Sequence, residues 1–253
     1  MRSAIPYGII LDDKIIKSFV DSWLISGIMC VSCLTVALNS MLVMVSDREN
    51  GMYKDFTTAP VKPYVLTLGY FLSFYFITFI ICFAVLIIGI IYLAASSAIY
   101  FSAADFFVVL GILMLSVMSS TLIMMFIMSF IKTGSAGGAF SGIFSAVIGF
   151  LTGAYMPVSV FPKAIASITV FIPGTSSGGL FRNFLMQGAL DEMGKGLPPI
   201  FAEEMSKSFS FNHEFFGRTL GCDFMWIYLA GSVAVFLTIN IIAGIIRKKR
   251  GNK

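Results

Sequence analysis

The sequence predicts an all-α membrane protein: one domain over 1–253, a bundle of about five transmembrane helices with short re-entrant or interfacial helices on the outer side. Three observations predict it. Five stretches, Ser22–Ser46, Tyr64–Ala104, Phe106–Ile131, Thr133–Pro162 and Phe224–Ile246, contain no Asp, Glu, Lys or Arg, and about 20 apolar residues suffice to cross the hydrocarbon core. All 17 basic and 13 acidic residues lie between or at the margins of these stretches, as expected when a charge at the bilayer centre costs about 2.5–3.5 kcal/mol even on the mildest scale. The chain is 58% hydrophobic and 12% charged, with a mean hydropathy of +0.92. A globular domain has about 45–50% apolar and ~25% charged residues, so too little polar surface is left for a soluble fold. Runs this long also exclude a β-barrel, whose strands alternate over about 10 residues.

Taken in order, the spans fall at about 22–46, 66–94, 106–131, 136–156 and 224–246. Residues 1–21 carry no signal peptide, because Arg2 precedes only a short apolar run before Asp12 and Asp13. Cys30 and Cys33 form a C-x-x-C within the first span, where small residues for close helix packing explain them better than redox chemistry. Cys82 reads as apolar filler, Cys222 stands alone, and no disulfide is implied. Asn39 and Asn240, the notable intramembrane polar residues, read as inter-helix hydrogen-bonding groups at about 0.6 kcal/mol each. Gly134, Gly137, Gly138 and Gly142 open the fourth span and suit close helix approach, within the bundle or at a dimer interface. Lys132 before them reads as a snorkelling anchor. In the outer segment, 157–223, Ala164–Ile172 is apolar but too short to cross. Pro173-Gly174 breaks it, and Thr175–Leu190 reads as a second helix with Phe181, Phe184 and Leu185 on one side and Arg182 on its polar side. Asp191–Gly217 reads as a mobile polar loop, and the segment is too small to build a ligand-binding domain.

The C-terminus, Arg247-Lys248-Lys249-Arg250-Gly251-Asn252-Lys253, follows the last span directly, and the positive-inside rule puts it in the cytoplasm. Counting back, Asp47–Pro63 and Lys132 lie inside, and Ala95–Asp105 and Lys163–Asp223 outside. Five spans then leave Met1 outside. An amphipathic interfacial helix over Lys14–Val20 would reverse this and expel the basic tail, so the parity argues instead for an upstream span beyond this chain.

Between the first two spans lies the cytoplasmic segment 47–60. Ser46 and Glu49 have capping-box spacing, Pro60 pushes Ala59 out of the helical region, and a helix of two to three turns is expected between. Met52 and Phe56, four apart, share a face that can enter a partner's groove while the surrounding charges set register; a solvated interfacial turn is the plainer alternative. The pattern Asp47, Glu49, Asn50, Lys54, Asp55, Phe56, Pro60, Val61, Gly69 and Tyr70 resembles the permease subunits of type-2 ABC exporters. A second block, Gly149-Phe150-Leu151-Thr152-Gly153-Ala154-Tyr155-Met156-Pro157 with Phe161-Pro162, Pro173 and Phe181-Arg182, resembles the family's fifth span and outer re-entrant helices. The resemblance runs from about Asp21 to Arg250 and implies a six-span fold lacking its first span, in keeping with the parity argument. It implies a dimer of permease subunits, identical or not, with the substrate pathway near their interface. It further implies docking on a separate cytoplasmic ATPase through a coupling helix matched by this segment, with Asp47, Glu49, Asn50, Met52, Lys54, Asp55, Phe56 and Pro60 as the interface. Drugs, peptides, lipids and polysaccharides are all carried by similar permeases.

No catalytic, cofactor or metal site is expected. The one Gly-Lys, Gly194-Lys195, is followed by Gly196 and makes no P-loop, so ATP hydrolysis falls to a partner. The lone His213 beside Glu214 reads as a solvated surface residue, and no H-E-x-x-H or carboxylate cluster has ligand spacing. An ion-coupled secondary transporter is the rival reading, although such proteins generally carry ionisable groups inside the bundle. The 26 Phe and 15 Met suit lipid contact or an amphiphilic pathway. The net charge of +4 is accounted for by the basic tail and gives no reason to expect nucleic acid.

Overall fold

The structure is a computed structural model that describes residues 13–52, 62–96, 100, 102–195, 199–209, 211–215 and 218–251. Five of its helical units are long and apolar enough to cross a membrane, in the number and order expected. α1 (Asp13–Ser40) and α2 (Leu42–Glu49) make the first of these. α3 (Pro63–Ser96), α4 (Ala103–Met128), α5 (Gly134–Leu151) and α9 (Cys222–Gly251) are the others. Between α5 and α9 stand a 3₁₀ turn (Val158–Val160), α6 (Lys163–Thr169), α7 (Pro173–Gly194), α8 (Pro199–Ser208) and a hairpin of β1 (His213–Phe215) and β2 (Arg218–Leu220).

Most helix ends differ from expectation by two to four residues, but α1 starts nine residues early, at Asp13. Lys14–Val20 therefore continues the first long helix rather than forming a separate interfacial one. Thr35 Oγ1 donates to the Val31 carbonyl at 2.9 Å and Ser40 Oγ to the Val36 carbonyl at 2.8 Å. Such back-bonding bends helices. Just past it, the Met41 N–H is shared between the Ala37 and Leu38 carbonyls, which separates α1 from α2. α4 opens on a capping box in which Ser102 Oγ accepts from the Asp105 N–H and Asp105 accepts from the Ser102 N–H. Ser102→Ala is expected to lower stability by about 1 kcal/mol, read as an earlier midpoint in detergent thermal unfolding.

The first helical unit (α1 with α2) and α3 run antiparallel, as two ties show: Asp21 accepts from Ser96 Oγ at 2.9 Å, and Asp47 from Tyr70 Oη at 2.8 Å. We name the two ends of the bundle after Asp21 and Asp47. Asp21 itself is 6% exposed inside α1, an ionisable group one residue beyond the first apolar stretch that charge counting left in the margin.

Two apolar cores follow the bundle axis. The first joins Met29, Leu86, Ile112, Phe181 and Leu229, and the second Leu38, Phe74, Met125 and Ile148. In lipid such packing rests on van der Waals contact and hydrogen bonds rather than on water exclusion. Asn39 and Asn240 do what was expected of them: Asn39 Oδ1 accepts from Ser141 Oγ on α5 at 2.8 Å, and Asn240 Nδ2 donates to the Leu122 carbonyl of α4 at 2.9 Å.

Two expectations for the outer segment fail. Asp191–Gly217, read as loop, holds α8 and β1. Pro199 begins α8, a position where its missing N–H costs nothing. α8 is held by Met205 and by Phe209 just past its end, which pack on a third, small core of Phe19, Met186, Leu190 and Phe211, the Phe209 ring meeting Phe19 edge-on at 5.0 Å. And α7 has no polar side over nearly its first three turns: Pro173–Arg182 are all buried.

Candidate coupling surface at the Asp47 end

α2 ends within the segment 47–60, and its last turn differs from the expected cap. Ser46 lies inside the helix rather than before it, and Glu49 is its last residue. The i, i+3 spacing of Ser and Glu is the same mid-helix as at a helix start, so the pattern alone misled. The Asn50 N–H donates to the Ser46 carbonyl at 2.9 Å, and Gly51 turns the chain at φ +79°, a conformation that suits glycine. Met52 resumes helical geometry with 52% of its surface exposed. Lys54, Asp55, Phe56 and Pro60 lie outside the described residues.

Successive helical residues point about 100° apart, so three in a row address three directions. Asp47 accepts from Tyr70 Oη of α3 at 2.8 Å. Arg48 donates to the carbonyl of Ser129, the C-cap of α4, at 3.0 Å, and its other nitrogen lies 3.4 Å from Met44 Sδ. Glu49 accepts from the Gly134 N–H, the first residue of α5, at 2.6 Å. The signs match the helix ends: a cation meets the carbonyl-rich end of α4 and an anion the N–H-rich end of α5. Each such contact is worth about 0.3–1 kcal/mol at an exposed site. A cleft of 20 Å³, room for about one water, lies beside them with Arg48, Thr67, Tyr70, Ser129 and Asn240 in its wall. Arg48 was absent from the expected interface. Its place between two acids at a helix end was the available signal.

Of the α5 glycines, Gly137 faces Leu42, and Gly134 faces Glu49, while Gly138 and Gly142 have no neighbour within 4 Å of where a side chain would start. Only part of the run serves internal packing.

At the Asp21 end, α5 closes in a Schellman turn. The Ala154 N–H donates to the Gly149 carbonyl at 2.9 Å and the Gly153 N–H to that of Phe150 at 3.0 Å, with Gly153 at φ +71°. Arg182 of α7 is fully buried beneath it and donates to the Gly153 carbonyl. Burial pulls its guanidinium down to about 10, so it remains charged at neutral pH. The folded chain holds that proton less tightly than the unfolded chain, and the charge costs stability there. Cys30 beside it donates to the Gly174 carbonyl at 3.0 Å, and the thiol fills a helix crossing as its spacing suggested. Among the described residues no three His, Cys, Asp or Glu group as metal ligands would.

No curated protein and no solved structure matches the chain. A family model described as "ABC-2 family transporter protein" matches residues 5–242, spanning α1 to the greater part of α9 and including both the Asp47 end and the buried Arg182. With five bilayer-length helices and this match over nearly its whole length, the chain belongs to the ABC-2 family of transporters, as a multi-pass membrane permease.

Proposed function

We propose that the chain is the permease subunit of an ABC exporter: paired with a second permease, identical or not, it lines the substrate pathway and docks on a separate cytoplasmic ATPase through 47–60. Met52, Lys54, Asp55 and Phe56 are the docking contacts, Asn50 and Pro60 bound the segment, and Asp47 and Glu49 hold its root to the bundle. ATP-driven closure of the ATPase pushes the segment, and the helices rock between inward- and outward-open arrangements. Segments 22–46, 66–94, 106–131, 136–156 and 224–246 cross the bilayer, with 157–223 on the outer face and Met1 outside.

The observation that carries this reading is where α2 ends. It turns at Gly51 and puts the exposed Met52 at the same end of the bundle as the basic run that closes α9, since Ala243 and Gly244 of α9 line the cleft beside Arg48. The positive-inside rule favours the cytoplasm for that end, where a P-loop ATPase would be found. Affinity purification of the tagged chain from mild detergent, with mass spectrometry of its companions, tests it. A stoichiometric P-loop ATPase is expected, and Phe56→Asp is expected to lose at least about tenfold of it, since burying an unpaired charge in an apolar groove costs several kcal/mol, while the variant stays monodisperse. A wild-type preparation free of ATPase overturns the exporter reading; capture unchanged in Phe56→Asp overturns the docking site alone.

A further inference from the structure

The three charged residues that close α2 are already engaged within their own chain, each with a different helix. Asp47 holds α3 through Tyr70, Arg48 holds the end of α4 through the Ser129 carbonyl, and Glu49 holds the start of α5 through the Gly134 N–H. Asp47 and Arg48 are half-buried, and Glu49 is exposed, as is Met52 three residues past it.

We propose that Asp47, Arg48 and Glu49 are transmission residues inside the permease, tying the coupling segment to α3, α4 and α5 so that one displacement moves three helix ends, and that they are not docking contacts for the ATPase. The inference rests on the reading above that 47–60 meets an ATPase. On its N-terminal side the segment is joined to the bundle by α2, with only Asn50 and Gly51 between Glu49 and Met52. Hydrogen bonds of 2.6–3.0 Å to three elements make the end of α2 a common joint. Packed interiors switch between discrete arrangements rather than deforming smoothly. The 20 Å³ cleft bordered by Arg48, Tyr70 and Ser129 gives two of the three ties space to rearrange.

The test uses the complex of the chain with the ATPase it captures, in lipid nanodiscs. Spin labels replace Ile80 on α3 and Ile143 on α5, which are 65% and 68% exposed, in a Cys222→Ser background. The interlabel distance is measured without nucleotide and with Mg·ATP and vanadate. A nucleotide-dependent shift is expected in the labelled parent. Glu49→Ala is expected to capture ATPase as the parent does while the ratio of shifted to unshifted population falls about 2- to 30-fold, the range over which residues along a coupling network act. Tyr70→Phe removes one hydroxyl without altering packing or the docking segment, so it guards against misfolding; it is expected to act in the same direction. Loss of capture in Glu49→Ala, or a parent-like shift in both variants, overturns the proposal. A parent that captures no ATPase fails at the earlier step and takes the exporter reading down with it.

Discussion

Gly188→Val is expected to destabilise the chain by about 3 kcal/mol or more, the upper part of the range for overpacking, and Gly142→Ala to leave it within about 1 kcal/mol of wild type or slightly more stable. Gly188 sits on α7 where a Cβ would overlap the main-chain carbonyl oxygen of Tyr100, with more of Tyr100 close behind. A side chain in that place could rotate away. A carbonyl moves only if its backbone moves, so either α7 or the connection between α3 and α4 must give way. Tyr100 also packs on the small core of Phe19, Met186, Leu190 and Phe211, so displacement there opens more than one contact. Gly142 looks onto open space and gains helix propensity from a methyl group. Thermal unfolding in detergent is the measurement, with a midpoint drop of roughly 6–12 °C at position 188. Equal midpoints for the two variants would show that the Tyr100 carbonyl does not press on α7.

Arg182→Ala is expected to destabilise by several kcal/mol, and Arg182→Met to stay within about 1.5 kcal/mol of wild type. The contrast follows from three magnitudes. Burial pulls the guanidinium down to about 10, so holding its charge there costs on the order of a few kcal/mol. Either substitution removes that cost. Both also orphan the Gly153 carbonyl, at about 1–3 kcal/mol, which nearly cancels the gain. Alanine alone adds a cavity, and large-to-small changes in cores run to about 2–5 kcal/mol. The cavity decides the outcome. Equal unfolding midpoints for the two variants would mean that the site collapses around alanine and that the volume argument fails.

Five bilayer-length helices were legible because hydrocarbon imposes one severe rule, few charges over about 20 residues, and Leu, Ile, Val and Phe meet it in uninterrupted runs. The inter-helix roles of Asn39 and Asn240 were legible for the same reason: a polar amide in an apolar run needs a partner. α7 was not legible. Its Arg182 reads as a solvent marker only if one side of the helix meets water, and Pro173–Arg182 meets protein on every side. α8 was hidden by the breakers Gly194, Gly196, Pro198 and Pro199, although Met205 and Phe209, four apart, already mark one apolar face. At the Asp47 end the sequence offered the charges but not their neighbours. Ser46 and Glu49 have the spacing of a cap, and only the position of Gly134 reveals that Glu49 caps α5 instead.

α3 and α5 start from the same end of the bundle but differ greatly in reach. At 1.5 Å per residue, the 34 residues of α3 extend about 51 Å and the 18 of α5 about 27 Å, against a hydrocarbon thickness of about 30 Å. Ile88 and Ile91, near the far end of α3, are 66% and 62% exposed and need lipid around them. A flat bilayer cannot satisfy both helices upright. Either α3 leans steeply, or the acyl chains stretch on its flank and thin beside α5, at fractions of a kcal/mol per Å of mismatch. The permease thus wears an uneven hydrophobic collar, and any rocking of α3 against α5 reshapes it. On the exporter reading, bilayer thickness is then a load on the rocking step, and lipid chain length a means of tuning its speed.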